Sequence, residues 1–194
     1  ERCDLIQRLG RTLCNNDKKM RWGFKIMREI RNPSKYAQQW ASYQIIHIVR
    51  DGRDVAASQM TEHSSWGYGE ASKAAENWMK LIEESRENSK NVSYLEIKYE
   101  DLVLETRSCL EAVCQFLGVN FSESMMNHQT HDHRFYKTKI AHPSRKRTMQ
   151  AIDNSAIGRF ARDFTEEQIQ TFESTAGKML KSLNYQLSNT PRTS

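Results

Sequence analysis

The run Ile45-Ile46-His47-Ile48-Val49-Arg50-Asp51-Gly52-Arg53-Asp54-Val55-Ala56-Ala57-Ser58 constrains this chain more than any other segment. Its first half is nearly continuous in apolar residues, the pattern of a central parallel strand. Asp51-Gly52 is turn chemistry, and Arg53–Ser58 has helical composition. The segment therefore predicts a strand ending on Arg50, a tight turn, and a helix that carries Ser58. Such a junction suits an anion: a guanidinium at the strand end, backbone N–H groups and the positive dipole end at the helix start, and a hydroxyl further along. A phosphate is the natural guest. The same residues also suit an ordinary strand–turn–helix unit with a surface arginine and a capped helix.

The rest of the chain alternates in the same way. An apolar stripe at Leu5, Ile6, Leu9 and Leu13 predicts a helix from Arg2 to about Leu13, broken by the polar run Asn15–Lys19. Trp22–Ile26 reads as a short strand, and Asn32-Pro33-Ser34 opens a helix offering Tyr36, Ala37 and Trp40. Helices are expected over Arg53 to about His63, Glu70 to about Asn88, Thr106–Leu117 and Thr165–Leu183, and a third strand over Val92–Ile97. Gly118 is the expected C-cap of one helix, and Thr165 with Gln168 the expected capping box of another. The tail from Ser188 is expected to be disordered. Strands alternating with helices imply an α/β fold, a parallel sheet wrapped by helices, and the absence of a linker implies one domain over residues 1–187.

Composition narrows the classes. At 194 residues the chain is long enough for one α/β core, and a formal net charge of +5 suits a polyanionic ligand without demanding one. No stretch is long and apolar enough to span a membrane. Glu1 in place of an initiator methionine points to a processed chain or a fragment. Four cysteines without a Cys-x-x-Cys pair argue against a zinc ribbon or a redox motif, and free thiols suit a reducing, cytoplasmic compartment. His128, His131 and His133 cluster, but with no fourth ligand fixed nearby they read as a polar loop, and no metal is expected. His47 reads as a core residue rather than a base, since three residues along a strand place it on the face opposite Arg50.

The pattern Arg50-x-x-x-Asp54-x-x-x-Ser58 after an apolar strand resembles the 3′-phosphate motif of sulfotransferases, which use 3′-phosphoadenosine 5′-phosphosulfate (PAPS) as sulfuryl donor. Three further segments fit that family in order. Tyr99-Glu100-Asp101-Leu102 resembles the element after a core strand whose tyrosine lies near the adenine, and Phe116-Leu117-Gly118 resembles the helix end that comes after it. Ile157-Gly158-Arg159-Phe160 resembles a segment that closes over the nucleotide and adds a cation. Trp22-Gly23-Phe24-Lys25-Ile26-Met27-Arg28 is similar to a strand of bacterial-type members whose lysine faces the transferring group, although Met27 stands where those have proline.

The resemblance implies a three-layer fold related to P-loop NTPases. It assigns Arg50, Ser58 and Arg159 to the 3′-phosphate, Tyr99 to the adenine, and Lys25 to the transferring sulfuryl group. It implies transfer to a hydroxyl or amine acceptor, which the sequence does not identify, and leaves the general base unassigned. The glycine- and hydroxyl-rich loop that cradles the 5′-phosphosulfate in this family is not found in the sequence, so the chain is expected to be the later part of a family domain. A Golgi-lumen location is implied if an upstream anchor exists. The other readings are a non-catalytic relative that binds PAPS or its product 3′-phosphoadenosine 5′-phosphate (PAP), and a nucleic-acid-binding domain using Arg145-Lys146-Arg147.

Overall fold

The apolar run does form a strand, β1 (Gln44–Val49). A computed structural model describes residues 2–16, 21–37, 40, 42–61, 69–130 and 149–188. In β1, Ile45, His47 and Val49 are buried, whereas Ile48 is half exposed, so the strand is covered on one side and not on both. The second strand, β2 (Ser93–Lys98), lies one residue later than its sequence pattern suggests and pairs with β1. Among the described residues the connection between them is helical, and it is long enough for the crossover that a parallel pair needs. The predicted α/β class, a parallel sheet with helices, is therefore present, in a helix-rich form with a small sheet.

The predicted strand at Trp22–Ile26 is absent: these residues are irregular. Their aromatic side chains find ring partners instead. Trp22 stacks on Phe24 with centroids 5.8 Å apart and meets Trp40 edge-on at 5.6 Å, while Phe24 meets Tyr36 at 5.9 Å. Aromatic residues favour strands only when a neighbouring strand offers a ladder to pair with.

Contacts divide the chain into two units. The first, Glu1–Ile45 with Lys80–Tyr94, contains helix α1 (Arg2–Asn16), a 3-10 turn (Arg28–Arg31), and α2 (Ser34–Ala37), where the sequence pattern predicts a helix. Gly10 sits mid-helix because the Trp22 ring lies against it, where a Cβ would collide. Pro33 is buried, and its carbonyl accepts a 2.8 Å bond from the Tyr43 hydroxyl. Arg31 meets Glu84 at 3.4 Å, and its carbonyl accepts from Asn88 Nδ2 at 2.6 Å.

The second unit, Ile46–Met79 with Leu95–Ser194, holds the strand–turn–helix junction. Helix α3 (Gly52–Thr61) leaves the turn, and the first half of α4 (Ala71–Asn88) comes next. After β2 come α5 (Tyr99–Leu104), which the sequence pattern misses, and α6 (Thr106–Leu117). Gly118 ends α6 at φ 67°, ψ 38°, the expected left-handed C-cap. The short α7 (Phe160–Asp163) and the long α8 (Glu166–Ser182) pack on α3. The capping box forms as predicted: Thr165 Oγ1 accepts from the Gln168 amide, and the Gln168 side chain accepts from the Thr165 amide.

The core of this unit mixes alanines with large rings: Ala56 and Ala57 of α3, Ala74, Ala75 and Trp78 of α4, and Phe172, Ala176 and Leu180 of α8 are all buried. Trp78 also donates from its indole to the Arg50 carbonyl at 3.1 Å, which fixes the end of β1. Gly52 begins α3 under these rings, and a Cβ there would overlap Trp78 and lie 2.7 Å from Phe172 Cζ. Gly52→Ala is therefore expected to lose about 1–3 kcal/mol by overpacking, read as a lower urea midpoint with unchanged m-value.

Candidate functional site

The turn after β1 is clamped before any ligand is considered. The Asp51 amide donates to Glu100 Oε1 at 3.0 Å, and Glu100 Oε2 accepts from the Tyr185 hydroxyl at 2.8 Å. Burial first, then the neighbouring Glu100 charge, push the Tyr185 phenol far above its ordinary range, so it stays protonated and donates to Glu100. Asp51 Oδ1 accepts from the Arg53 amide at 2.9 Å and from Arg53 Nε at 3.1 Å, and Arg53 Nη1 reaches Glu173 at 2.6 Å. The Arg53 amide at the helix start is thus taken by protein.

Arg50 is half-buried and stands over the Tyr99 ring, with its guanidinium carbon 4.7 Å from the ring centre. One arm, Nη2, donates to the Ala156 carbonyl and lies 3.3 Å from Asp54 Oδ2. Its Nε–H is buried and, among the described residues, has no hydrogen-bond partner. An unmade bond of this kind costs about 1–3 kcal/mol. Strand β1 delivers Arg50 and the end of β2 delivers Tyr99, so the pairing of the two strands brings these two predicted residues together.

Asp54 is wholly buried in α3. Besides Arg50, it accepts from the Gly158 amide at 2.9 Å and the Phe160 amide at 3.0 Å. Gly158 takes φ 71°, which a residue with a side chain would resist. The segment that carries Arg159 is therefore docked onto α3. Ser58 lies one turn beyond Asp54 on the same helix and is half-buried.

Arg159 pairs with Asp163 through Nε at 2.7 Å and Nη2 at 2.6 Å. Burial pushes the Asp163 carboxyl up, but bonds from Arg159 and Arg162 outweigh it, and the net position is below the ordinary aspartate value. A lowered folded-state value means stability that is present above the unfolded aspartate pKa and lost as pH falls through the folded one. NMR titration should find Asp163 below the usual range, and Arg159→Ala should move it upward. An unmoved value would contradict the pairing.

Lys25 belongs to the first unit, in the irregular segment rather than on the strand predicted for it, and its side chain is exposed. His47 is buried as expected, with Nδ1 3.9 Å from Glu96 Oε2. Cys14 and Cys114 are buried free thiols, and Cys109 is half-buried. Among the described residues no three His, Cys, Asp or Glu side chains converge as a metal site would need, and no helix is long and apolar enough to cross a membrane. His131, His133 and Arg145-Lys146-Arg147, the aromatic loop at Ser64–Tyr68 and the tail from residue 189 lie outside the described residues.

Sequence reasoning assigns no role to Asp54, Glu100 or Ala156. Asp54 stands inside the motif, and its place in the first turn of α3 four residues after Arg50 is the signal that could have found it. The main-chain role of Ala156 leaves none.

The β1–turn–α3 junction thus carries a guanidinium at its apex, an aromatic ring beneath it and a segment docked on the helix through Asp54. The chain belongs to the sulfotransferase domain family, whose sequence model matches residues 37–184. Among solved structures, it is similar to the sulfotransferase domain from the curacin biosynthetic pathway, with a TM-score of 0.71 at 19% identity over 94% of this chain and 69% of that one. It is also similar to the sulfotransferase domain from the Synechococcus PCC 7002 olefin synthase, with a TM-score of 0.52 at 25% identity over 69% of this chain and 49% of that one. No curated protein sequence matches it.

Proposed function

We propose that the chain forms the nucleotide-gripping part of a PAPS-dependent sulfotransferase that delivers a sulfuryl group to a hydroxyl or amine acceptor. Arg50 and Ser58 hold the 3′-phosphate, Arg159 adds a second cation from the docked segment, and Tyr99 borders the adenine. Lys25 stabilises the sulfuryl group as it transfers. In the reaction the acceptor oxygen or nitrogen forms a bond to sulfur as the bond from sulfur to the 5′-phosphate oxygen breaks. The acceptor proton leaves to a base, and PAP departs. Charge accumulates on the bridging oxygen, so catalysis of this kind is chiefly positioning and electrostatic stabilisation.

The observation that carries the reading is the state of Arg50. One arm of its guanidinium binds a neutral carbonyl, and its Nε–H binds nothing among the described residues. A phosphate oxygen would replace that uncharged acceptor with an anionic one, adding ion-pair attraction to the bond, and give the idle donor a partner. Calorimetric titration with PAP and with adenosine 5′-phosphate tests it. One extra charge-assisted contact, about 1.5–3 kcal/mol, predicts that PAP binds about 10- to 150-fold more tightly. Equal affinities would remove the reading.

A further inference from the structure

Asp54 has no part in the nucleotide contacts proposed for this site, yet it is the most buried polar group there. It is an acidic group in a place proposed to receive a dianion, where a carboxylate is a poor neighbour unless its charge is spent elsewhere. Its partners show where it is spent. Oδ2 faces Arg50 Nη2 and the Gly158 amide, and Oδ1 accepts from the Phe160 amide. One carboxylate thus holds the strand-end cation and the two amides that flank Arg159. Those amides lie 104 and 106 residues from Asp54 in sequence, with nothing local to bring them together.

We infer that Asp54 is a positioning residue: a latch that docks the Asn154–Phe160 segment on α3 before ligand arrives and sets Arg50 and Arg159 as one preassembled grip for the 3′-phosphate. The inference rests on the nucleotide reading of the site. The Ala156 carbonyl on Arg50 belongs to the same device. It occupies the guanidinium in the free protein and sits on the segment that the latch retains, so ligand entry displaces a carbonyl without releasing Arg159. The ordering of that segment is then already complete in the free state, and ligand binding need not supply it.

Asp54→Asn keeps shape and one acceptor but removes the charge and turns an N–H₂ group toward a backbone amide. The variant should bind PAP about tenfold or more weakly while binding adenosine 5′-phosphate within about twofold of wild type, because only the 3′-phosphate uses the latched cations. General loosening of the fold would weaken both nucleotides together, and that outcome would overturn the inference, as would wild-type discrimination in the variant. Wild type that fails to distinguish the two nucleotides would instead strike the nucleotide reading, and the latch's role with it. Should the variant not fold, amide hydrogen exchange on the unaltered chain decides. Gly158 and Phe160 should be protected without ligand and slowed further by PAP but not by adenosine 5′-phosphate. Fast exchange in the free protein, or the same response to both nucleotides, would overturn the latch.

Discussion

Arg53→Ala is expected to cost about 3–5 kcal/mol of stability, because it strands buried charge at the junction that organises the site. The Arg53 side chain is almost fully buried, paired with Asp51 at 2.7 Å and Glu173 at 2.6 Å, and its guanidinium carbon lies 4.1 Å from the centre of the Phe160 ring. Burial alone would lower its basicity. The bonds and charges of Asp51 and Glu173 outweigh this, so the group is held above its ordinary value. Truncation removes that compensation and leaves two little-exposed carboxylates without their shared cation. Glu173 additionally anchors Ser188 through its amide at 3.0 Å and its hydroxyl at 2.9 Å, so the chain after α8 should loosen too. Urea unfolding provides the measurement. Pairing Arg53→Met with Glu173→Gln should recover part of the loss, because it removes one stranded charge while restoring volume. A loss below about 1 kcal/mol, the range of surface ion pairs, would show that the cluster does not hold the junction.

Arg50→Ala is expected to weaken PAP by about 1.5–3 kcal/mol while leaving adenosine 5′-phosphate nearly unchanged. The distinction matters because Arg50 also touches Tyr99 and Asp54, so truncation disturbs more than one neighbour. Disturbance of the adenine side would show with both nucleotides, whereas loss of a phosphate contact shows with one. Arg50→Lys sharpens the test. It keeps the charge but loses the fork that engages two oxygens, so it should fall between wild type and alanine. Equal losses for both nucleotides would move Arg50 from phosphate binding to framework.

The parts of this fold that are legible in the sequence are those with a local cause. The β1–α3 junction arises from an apolar run ended by Asp51-Gly52, the end of α6 from Gly118, and the start of α8 from the Thr165/Gln168 pair. Each signal lies within a few residues of the structure that it specifies. Trp22–Ile26 misleads because strand-like composition needs a pairing partner, and these rings pack on one another. For the site, family resemblance picks out Arg50, Tyr99 and the segment carrying Arg159, and the structure brings these together in the second unit. The bonds that hold them join Glu100 to Tyr185, 85 residues away, and Asp54 to amides 104 and 106 residues away. A hydrogen bond between distant segments leaves no periodicity to read, and one made to a backbone amide does not even require a particular residue type.

In the proposed complex, the guanidinium closing β1 exchanges the Ala156 carbonyl for the 3′-phosphate of an adenine nucleotide. A crystal structure of the chain grown with PAP measures this directly. Expected are 3′-phosphate oxygens within hydrogen-bond distance of Arg50 Nε or Nη2, Ser58 beside them, the adenine by Tyr99, and Asp54 still holding the Gly158 and Phe160 amides. Arg50 still bonded to Ala156, with the nucleotide bound elsewhere, would contradict it.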